Sequence, residues 1–157
     1  MTDNAVEPTA VTSAIQLIDE VGVELTGIVH YEHSARLDDS FAGDVPEELS
    51  PQTEHTLFRH HEGNQIGVRL RTDLTFEQGQ ITCDISAQYV AAHEVDLTDQ
   101  AFADFANNVG IMAILPYTRE AVQSLSGRVF GRALLLPVIE RGDIAFGVSD
   151  DDQDDEA

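Results

Sequence analysis

Ile66-Gly67-Val68-Arg69-Leu70-Arg71-Thr72-Asp73-Leu74-Thr75-Phe76, followed at once by Glu77-Gln78-Gly79 and then Gln80-Ile81-Thr82-Cys83-Asp84-Ile85-Ser86-Ala87-Gln88-Tyr89-Val90-Ala91, decides the fold class. In each arm apolar residues recur at every second position: Ile66, Val68, Leu70, Leu74 and Phe76 in the first, Ile81, Cys83, Ile85, Ala87, Tyr89 and Ala91 in the second. Because side chains along a strand point alternately to opposite faces, this pattern predicts two strands with one oily and one polar face. The short Glu77-Gln78-Gly79-Gln80 link makes them an antiparallel hairpin. A one-sided oily sheet needs a covering layer, and the rest of the chain must supply it.

Upstream, a shorter strand is expected near His55–Glu62, and a much longer one starts at Ile15. There Ile15, Leu17, Val21, Val23, Leu25, Val29 and Tyr31 share the odd positions. That run far exceeds the usual strand of about 5–6 residues, so a bulge or bend is expected near Gly22 or Gly27. Its exposed edge calls for cover, and a second subunit is a natural one. Residues 32–54 form a long acidic crossover carrying Asp38, Asp39, Asp44, Glu47, Glu48 and Glu54, with Gly43, Pro46 and Pro51 as breakers. Connections this long in a compact domain are functional or mobile. Leu37, Phe41, Val45 and Leu49 recur every four residues within it, a spacing that suits either one weak amphipathic turn or side chains laid over an apolar surface.

Downstream, Thr98-Asp99 is a good helix start, and Phe102, Phe105, Ala106 and Val109 share a face that Gly110 would end. Pro116 suits the first turn of a second helix with Tyr117, Ala121, Val122 and Leu125 on one stripe and Gly127 at its end. The segment from Arg128 to Ile139 is apolar but interrupted by Gly131 and Pro137. The expected architecture is α+β: a four-stranded antiparallel sheet, a long crossover after its first strand, and two to three C-terminal helices as cover. Residues 1–12 are expected to be a disordered tail, 13–147 one domain, and 148–157 a disordered acidic tail.

Composition narrows the function. The 157 residues are 42% hydrophobic and 24% charged, and 29 Asp and Glu face 8 cations, for a net charge of −21. All 8 cations are Arg, so no lysine exists for Schiff-base chemistry or a phosphate-loop lysine. Nucleic acid is excluded as a partner because no basic patch exists to displace its counterions. Insertion into a membrane is not expected, since no apolar run approaches the ~18 residues needed to span a bilayer. Without a cationic, apolar leader at the N-terminus, a cytoplasmic location is expected. Cys83 stands alone and faces the oily side, a small core residue rather than a nucleophile. His60 and His61 point to opposite faces of a strand and cannot share a metal, and His30, His33, His55 and His93 read as solvated or pH-sensitive groups. No metal, cofactor or catalytic residue is expected, and the protein is read as a non-enzyme.

One segment carries a family likeness. Asn107-Asn108-Val109-Gly110-Ile111-Met112-Ala113-Ile114-Leu115-Pro116-Tyr117-Thr118-Arg119-Glu120 resembles the hallmark of the SecB export chaperones, and Leu134-Leu135-Leu136-Pro137-Val138 is similar to their Leu-rich Pro-Val segment. The chain departs from the family at Val109-Gly110, where Pro is common, at Leu115, where Phe is, and at Ile139-Glu140, where Asn-Phe follows. Gly142 and Gly147 also interrupt the place of the family's last helix. The resemblance implies an ATP-independent chaperone, assembled as a homotetramer (a dimer of dimers), that holds unfolded preproteins in apolar grooves and passes them to the SecA motor ATPase. The groove would be lined by Leu37, Phe41, Val45, Leu49, Leu57, Phe58, Phe130, Leu134, Leu135 and Leu136. Glu77 and the tail acids Asp150, Asp151, Asp152, Asp154 and Asp155 would serve motor docking. Two alternatives stand beside it: a dedicated chaperone of one partner, such as the antitoxin of a toxin–antitoxin pair, and, more remotely, a small-ligand-binding or hydrolytic α+β dimer.

Overall fold

The computed structural model describes residues 6–137, 139–140 and 143–145. In chain order come β1 (Thr9–Val11), a wide helical turn (Gln16–Val21), β2 (Val23–Leu37), β3 (Gln52–Glu62), β4 (Gln65–Phe76), β5 (Gly79–Ala91), β6 (Val95–Leu97), α1 (Asp99–Phe105), a second wide turn (Ala106–Gly110) and α2 (Ile111–Phe130). The four long strands form an antiparallel sheet in the order β2-β5-β4-β3, so the hairpin that opened the sequence lies at its centre. Phe76 pairs with Gly79 across the turn, where a side chain would strike the Arg36 carbonyl of β2. Glycine is what lets the third strand close against that turn.

The oily face is covered as expected, by α1 and α2, which the wide turn between them joins into one unbroken helical run. Thr98 caps its start, its hydroxyl accepting from the Ala101 N–H at 3.1 Å, with Asp99 in the first turn where the helix dipole favours an acid. The run then passes through Gly110 and Pro116 without breaking and ends at Gly131 in the left-handed conformation. Gly110 is not a terminator: it sits at helical angles, and a Cβ there would lie 2.6 Å from Val68 Cγ2. The glycine is the point of closest approach between helix and sheet, a packing need that a one-dimensional pattern presents as a stop signal. The wide turn before α2, in which the Ile111 N–H reaches back to the Ala106 carbonyl, accommodates that approach. Pro116 lies on the exposed side, where water can satisfy the carbonyl it leaves without a partner.

Two apolar clusters fill the space between helix and sheet. The first joins Ile66, Val68, Leu70, Ile85, Ala87 and Tyr89 to Phe102, Phe105, Ile111 and Ile114, and includes Val11 and Leu17 from the N-terminal segment. Residues 9–11, expected within a disordered tail, instead form β1, which pairs in parallel with β6 and buries Val11 fully at the rim of this cluster. The second cluster joins Leu74, Phe76, Ile81 and Cys83 to Ala121, Val122 and Phe130.

β2 does not keep one apolar face along its 15 residues. Its register with β5 shifts between Leu25 and Gly27 and again between His30 and Glu32, leaving Thr26 and Tyr31 as extra residues. Each bulge moves the following side chains to the other face. Ile28 then packs into the first cluster while Tyr31 lands on the uncovered face of the sheet, its ring 4.0 Å from the Arg69 guanidinium.

Replacing Gly110 by Ala should destabilise the protein by about 1–3 kcal/mol, because the strain of overpacking outweighs the ~1 kcal/mol gain in helix propensity. In a chain already carrying Val68→Ala the same change should cost much less. Urea unfolding of the two single variants and the double variant measures the difference.

Candidate protein-binding surface

The second cluster is roofed by two segments without regular structure, the crossover between β2 and β3 and the stretch after α2. The crossover starts on a firm anchor: the Asp38 N–H donates to the Gln78 carbonyl at 2.7 Å, and Asp38 accepts from the Ser40 N–H at 3.0 Å and its hydroxyl at 2.8 Å. The bonds from Ser40 hold the Asp38 carboxyl below its ordinary value, so it stays charged. Further along, Val45 is half-buried and Leu49 buried against the cluster. At the other side, Gly131 reverses the chain, and the Leu134 N–H donates to the Ser126 hydroxyl at 2.7 Å. That single bond lays Leu134 and Leu136 along the last turns of α2. Phe76 and Phe130 meet beneath, ring centres 5.2 Å apart.

The apolar residues proposed from sequence as groove lining fall into three groups. Leu49, Phe130 and Leu136 are buried and belong to the core. Phe41, Val45 and Leu134 are half-buried, and Leu37 and Leu135 are 43% and 65% exposed. These five belong to or flank the roofing segments, with the exposed acids Asp38, Asp39, Asp44, Glu47 and Glu48 among them. Leu57 and Phe58 stand apart from this group. As neighbours on one strand they face opposite ways: Leu57 packs against the first cluster, and Phe58 lies on the uncovered sheet face, 5.1 Å from the Arg69 guanidinium. Glu77 is exposed in the β4–β5 turn, and Asp150, Asp151, Asp152, Asp154 and Asp155 lie outside the described residues.

Sequence patterning missed the order on the uncovered face. Arg69 grips the buried Asp84 with two hydrogen bonds of 2.7 and 2.6 Å, Arg71 bonds Asp73 at 3.0 Å and approaches Glu32 at 3.5 Å, and the Thr82 hydroxyl donates to Asp73 at 2.7 Å. Tyr31 and Phe58 flank Arg69 on either side. The signal was present in the polar positions of β4 and β5, but Tyr31 joins them only because of its bulge. Burial pushes the Cys83 thiol up to about 12, which keeps it protonated and unreactive. Among the described residues no three His, Cys, Asp or Glu side chains converge as a metal site, and no helix is long and apolar enough to cross a membrane.

No family model matches the chain. Its sequence is 26% identical over 133 residues to the SecB-like chaperone SmegB of Mycolicibacterium smegmatis, covering 84% of this chain and 86% of that protein. Its fold matches the Mycobacterium tuberculosis Rv1957 SecB-like chaperone, solved in complex with a ChAD peptide from the Rv1956 HigA1 antitoxin. That match has a TM-score of 0.64 at 20% identity and covers 76% of this chain and 91% of the other. The chain is similar in sequence to one SecB-like chaperone and shares its fold with another. Both the resemblance seen at residues 107–120 and the expected antiparallel sheet with helical cover are thus found, and the two relatives are chaperones by name.

Removing the Ser126 hydroxyl should free the segment after α2. Ser126→Ala is expected to cost about 1–2 kcal/mol by leaving the Leu134 N–H without its partner. Hydrogen exchange should quicken at Leu134 and leave the β4–β5 amides unchanged. A second expectation concerns pH. Burial holds the His55 imidazole below its ordinary value of 6.5, and its Nδ1 lies 3.0 Å from the Thr72 hydroxyl. The unfolded chain then binds that proton more tightly, so His55 lowers stability as pH falls through about 6.5 and has no such effect above it. Urea midpoints at about pH 7.5 and 5.5 should draw closer together in His55→Gln than in the parent.

Proposed function

We propose that this protein is an ATP-independent chaperone that holds unfolded polypeptides on the apolar surface built by the crossover and the segment after α2. The observation that carries this reading is the set of apolar side chains left partly or largely open to water on or beside the two roofing segments, Leu37, Phe41, Val45, Leu134 and Leu135, of which Val45 and Leu134 pack against the second cluster. Those roofing segments have few backbone ties, which suits a surface that must accept varied side chains. The acids around these side chains favour clients with basic residues beside apolar ones, and a net charge of −21 keeps an oily surface from self-association. On this reading the folded body, β1 included, acts as one domain in the cytoplasm, with 148–157 as an acidic tail, and no step is catalytic. Transfer of preproteins to the SecA ATPase would engage Glu77 and the tail acids. The unpaired edge of β2, with Leu25, Val29 and Tyr31 exposed along it, supports assembly with a second copy and, from such dimers, a tetramer.

A dedicated chaperone for a single partner is the second reading. It is favoured by one observation: the structural neighbour was solved with a peptide from an antitoxin.

The test is suppression of aggregation of a chemically unfolded, slow-folding protein without nucleotide, alongside the mass of the complex. Protection near one tetramer per client is expected. Leu37→Asp and Leu135→Asp, both at exposed positions, should leave the circular dichroism spectrum unchanged and weaken holding roughly tenfold or more, since each removes about 1.5–3 kcal/mol of available apolar contact. Protection that is untouched by both variants would move the surface elsewhere. Absence of protection would end the general holdase reading, and tight co-purification of one protein would then favour the second.

A further inference from the structure

We propose that His30 and His33 form half of a binding site for a divalent first-row transition cation of square or tetragonal preference, Cu²⁺ or Ni²⁺, which the same pair from a second copy completes at the free edge of β2. The proposal rests on the reading of that edge as an assembly surface. In a regular strand, residues three apart point to opposite faces. Here Tyr31 is bulged out between them, so His30 pairs with Ile85 and His33 with Cys83, both on the helix side of the sheet. The two imidazoles converge there, His30 Nδ1 lying 2.8 Å from His33 Nε2 with the rings edge to face. Two nitrogens each ~2.05 Å from a metal and at right angles to one another stand about 2.9 Å apart, whereas a tetrahedral angle needs about 3.3 Å. As found, the two nitrogens share a hydrogen bond; a turn of the rings that directs both lone pairs to one ion would keep a spacing close to that of a right-angled pair, which favours a square or tetragonal ion over a tetrahedral one.

The surroundings fit a cation. Tyr117 of α2 closes one side, its ring centre 5.8 Å from that of His30, and Glu120 on the same helix supplies a nearby negative charge that acts on His33. Both rings are exposed to solvent, which leaves the ion a way in. On binding, the hydrogen shared between the facing nitrogens moves to the outer nitrogen of the same ring, and two neutral imidazoles become the ligands without net proton release. One protomer provides two ligands among the described residues and no third carboxylate, thiolate or imidazole converges on them. A second β2 beside the first would add two more and complete a four-nitrogen set.

The full chain, stripped with EDTA, should be titrated with Cu²⁺, Ni²⁺ or Zn²⁺ by calorimetry, with native mass spectrometry recorded before and after. One Cu²⁺ or Ni²⁺ per two chains is expected, bound at least tenfold tighter than Zn²⁺. Either His30→Ala or His33→Ala should abolish it, while His60→Ala on β3 should bind as the parent does. Binding that survives His30→Ala, or that saturates at one ion per chain, overturns the shared site. The mass in EDTA separates this inference from the assembly it rests on. A metal-free dimer or tetramer that binds no ion removes the site and keeps the assembly; a chain that stays monomeric with and without metal removes both. The aggregation assay in EDTA reports on client holding independently of either.

Discussion

The structure depends on the close seating of one helical run on β4 and β5. At Gly110 the backbone comes near enough to Val68 that no side chain fits between them, and from that contact the run extends both ways over the oily face. Its first part closes the cluster built on Ile66, Leu70 and Ile85, and its last turns close the one built on Leu74, Phe76 and Ile81. Interiors packed at crystal-like density leave little room for the helix to move, so whatever lies at its far end is held in a fixed position. The reversal at Gly131 and the bond from the Leu134 N–H to Ser126 place the apolar segment beside the crossover for that reason.

Around this rigid centre, polar and apolar surface are divided unevenly. The uncovered sheet face is not a plain solvated surface, because Arg69 and Asp84, Arg71 and Asp73 neutralise one another there, with Asp84 almost wholly shielded by the arginines above it. The fork of Arg69 on Asp84 is a two-bond, charge-assisted contact whose geometry fixes both side chains, and Tyr31 and Phe58 pack on its flanks. The roofing segments show the opposite arrangement: partly exposed apolar side chains among exposed carboxylates, of which Asp38 and Asp39 lie near Arg36, the latter at a long 3.9 Å. A protein that displays oily surface and stays dispersed needs such a charge excess, and this chain carries 29 acids against 8 arginines.

Much of the architecture was legible in the order of residues. Alternation at residues 66–91 is a direct consequence of strand geometry, so the central hairpin, its turn and the buried row from Ile81 to Ala91 followed without knowledge of any fold. Thr98 at the helix start was equally local, since its hydroxyl acts on an N–H three residues ahead. The Pro-Tyr-Thr-Arg-Glu segment and the Leu-rich one after it carried the likeness to SecB, and the comparisons find the chain similar to one SecB-like chaperone in sequence and to another in fold. The net charge, the absence of lysine and the single cysteine limited the chemistry from composition alone.

Other features were decided only when distant parts met. Gly110 and Pro116 are helix breakers in a linear reading, and whether a helix ends at them depends on what lies opposite: Val68 in one case and water in the other. β1 is too short to declare itself and exists because β6 and the first cluster give Val11 a place. The faces of β2 could not be assigned by counting, because each bulge adds a residue that reverses the alternation, and a bulge is set by how β5 runs beside the strand. For the same reason His30 and His33, on opposite faces by number, converge. The sequence determined which segments are strands and helix, because that depends on neighbours a few residues away; the tertiary structure decided which side chains are core, which are surface and which share a site, because that depends on registers and approaches between segments far apart in the chain.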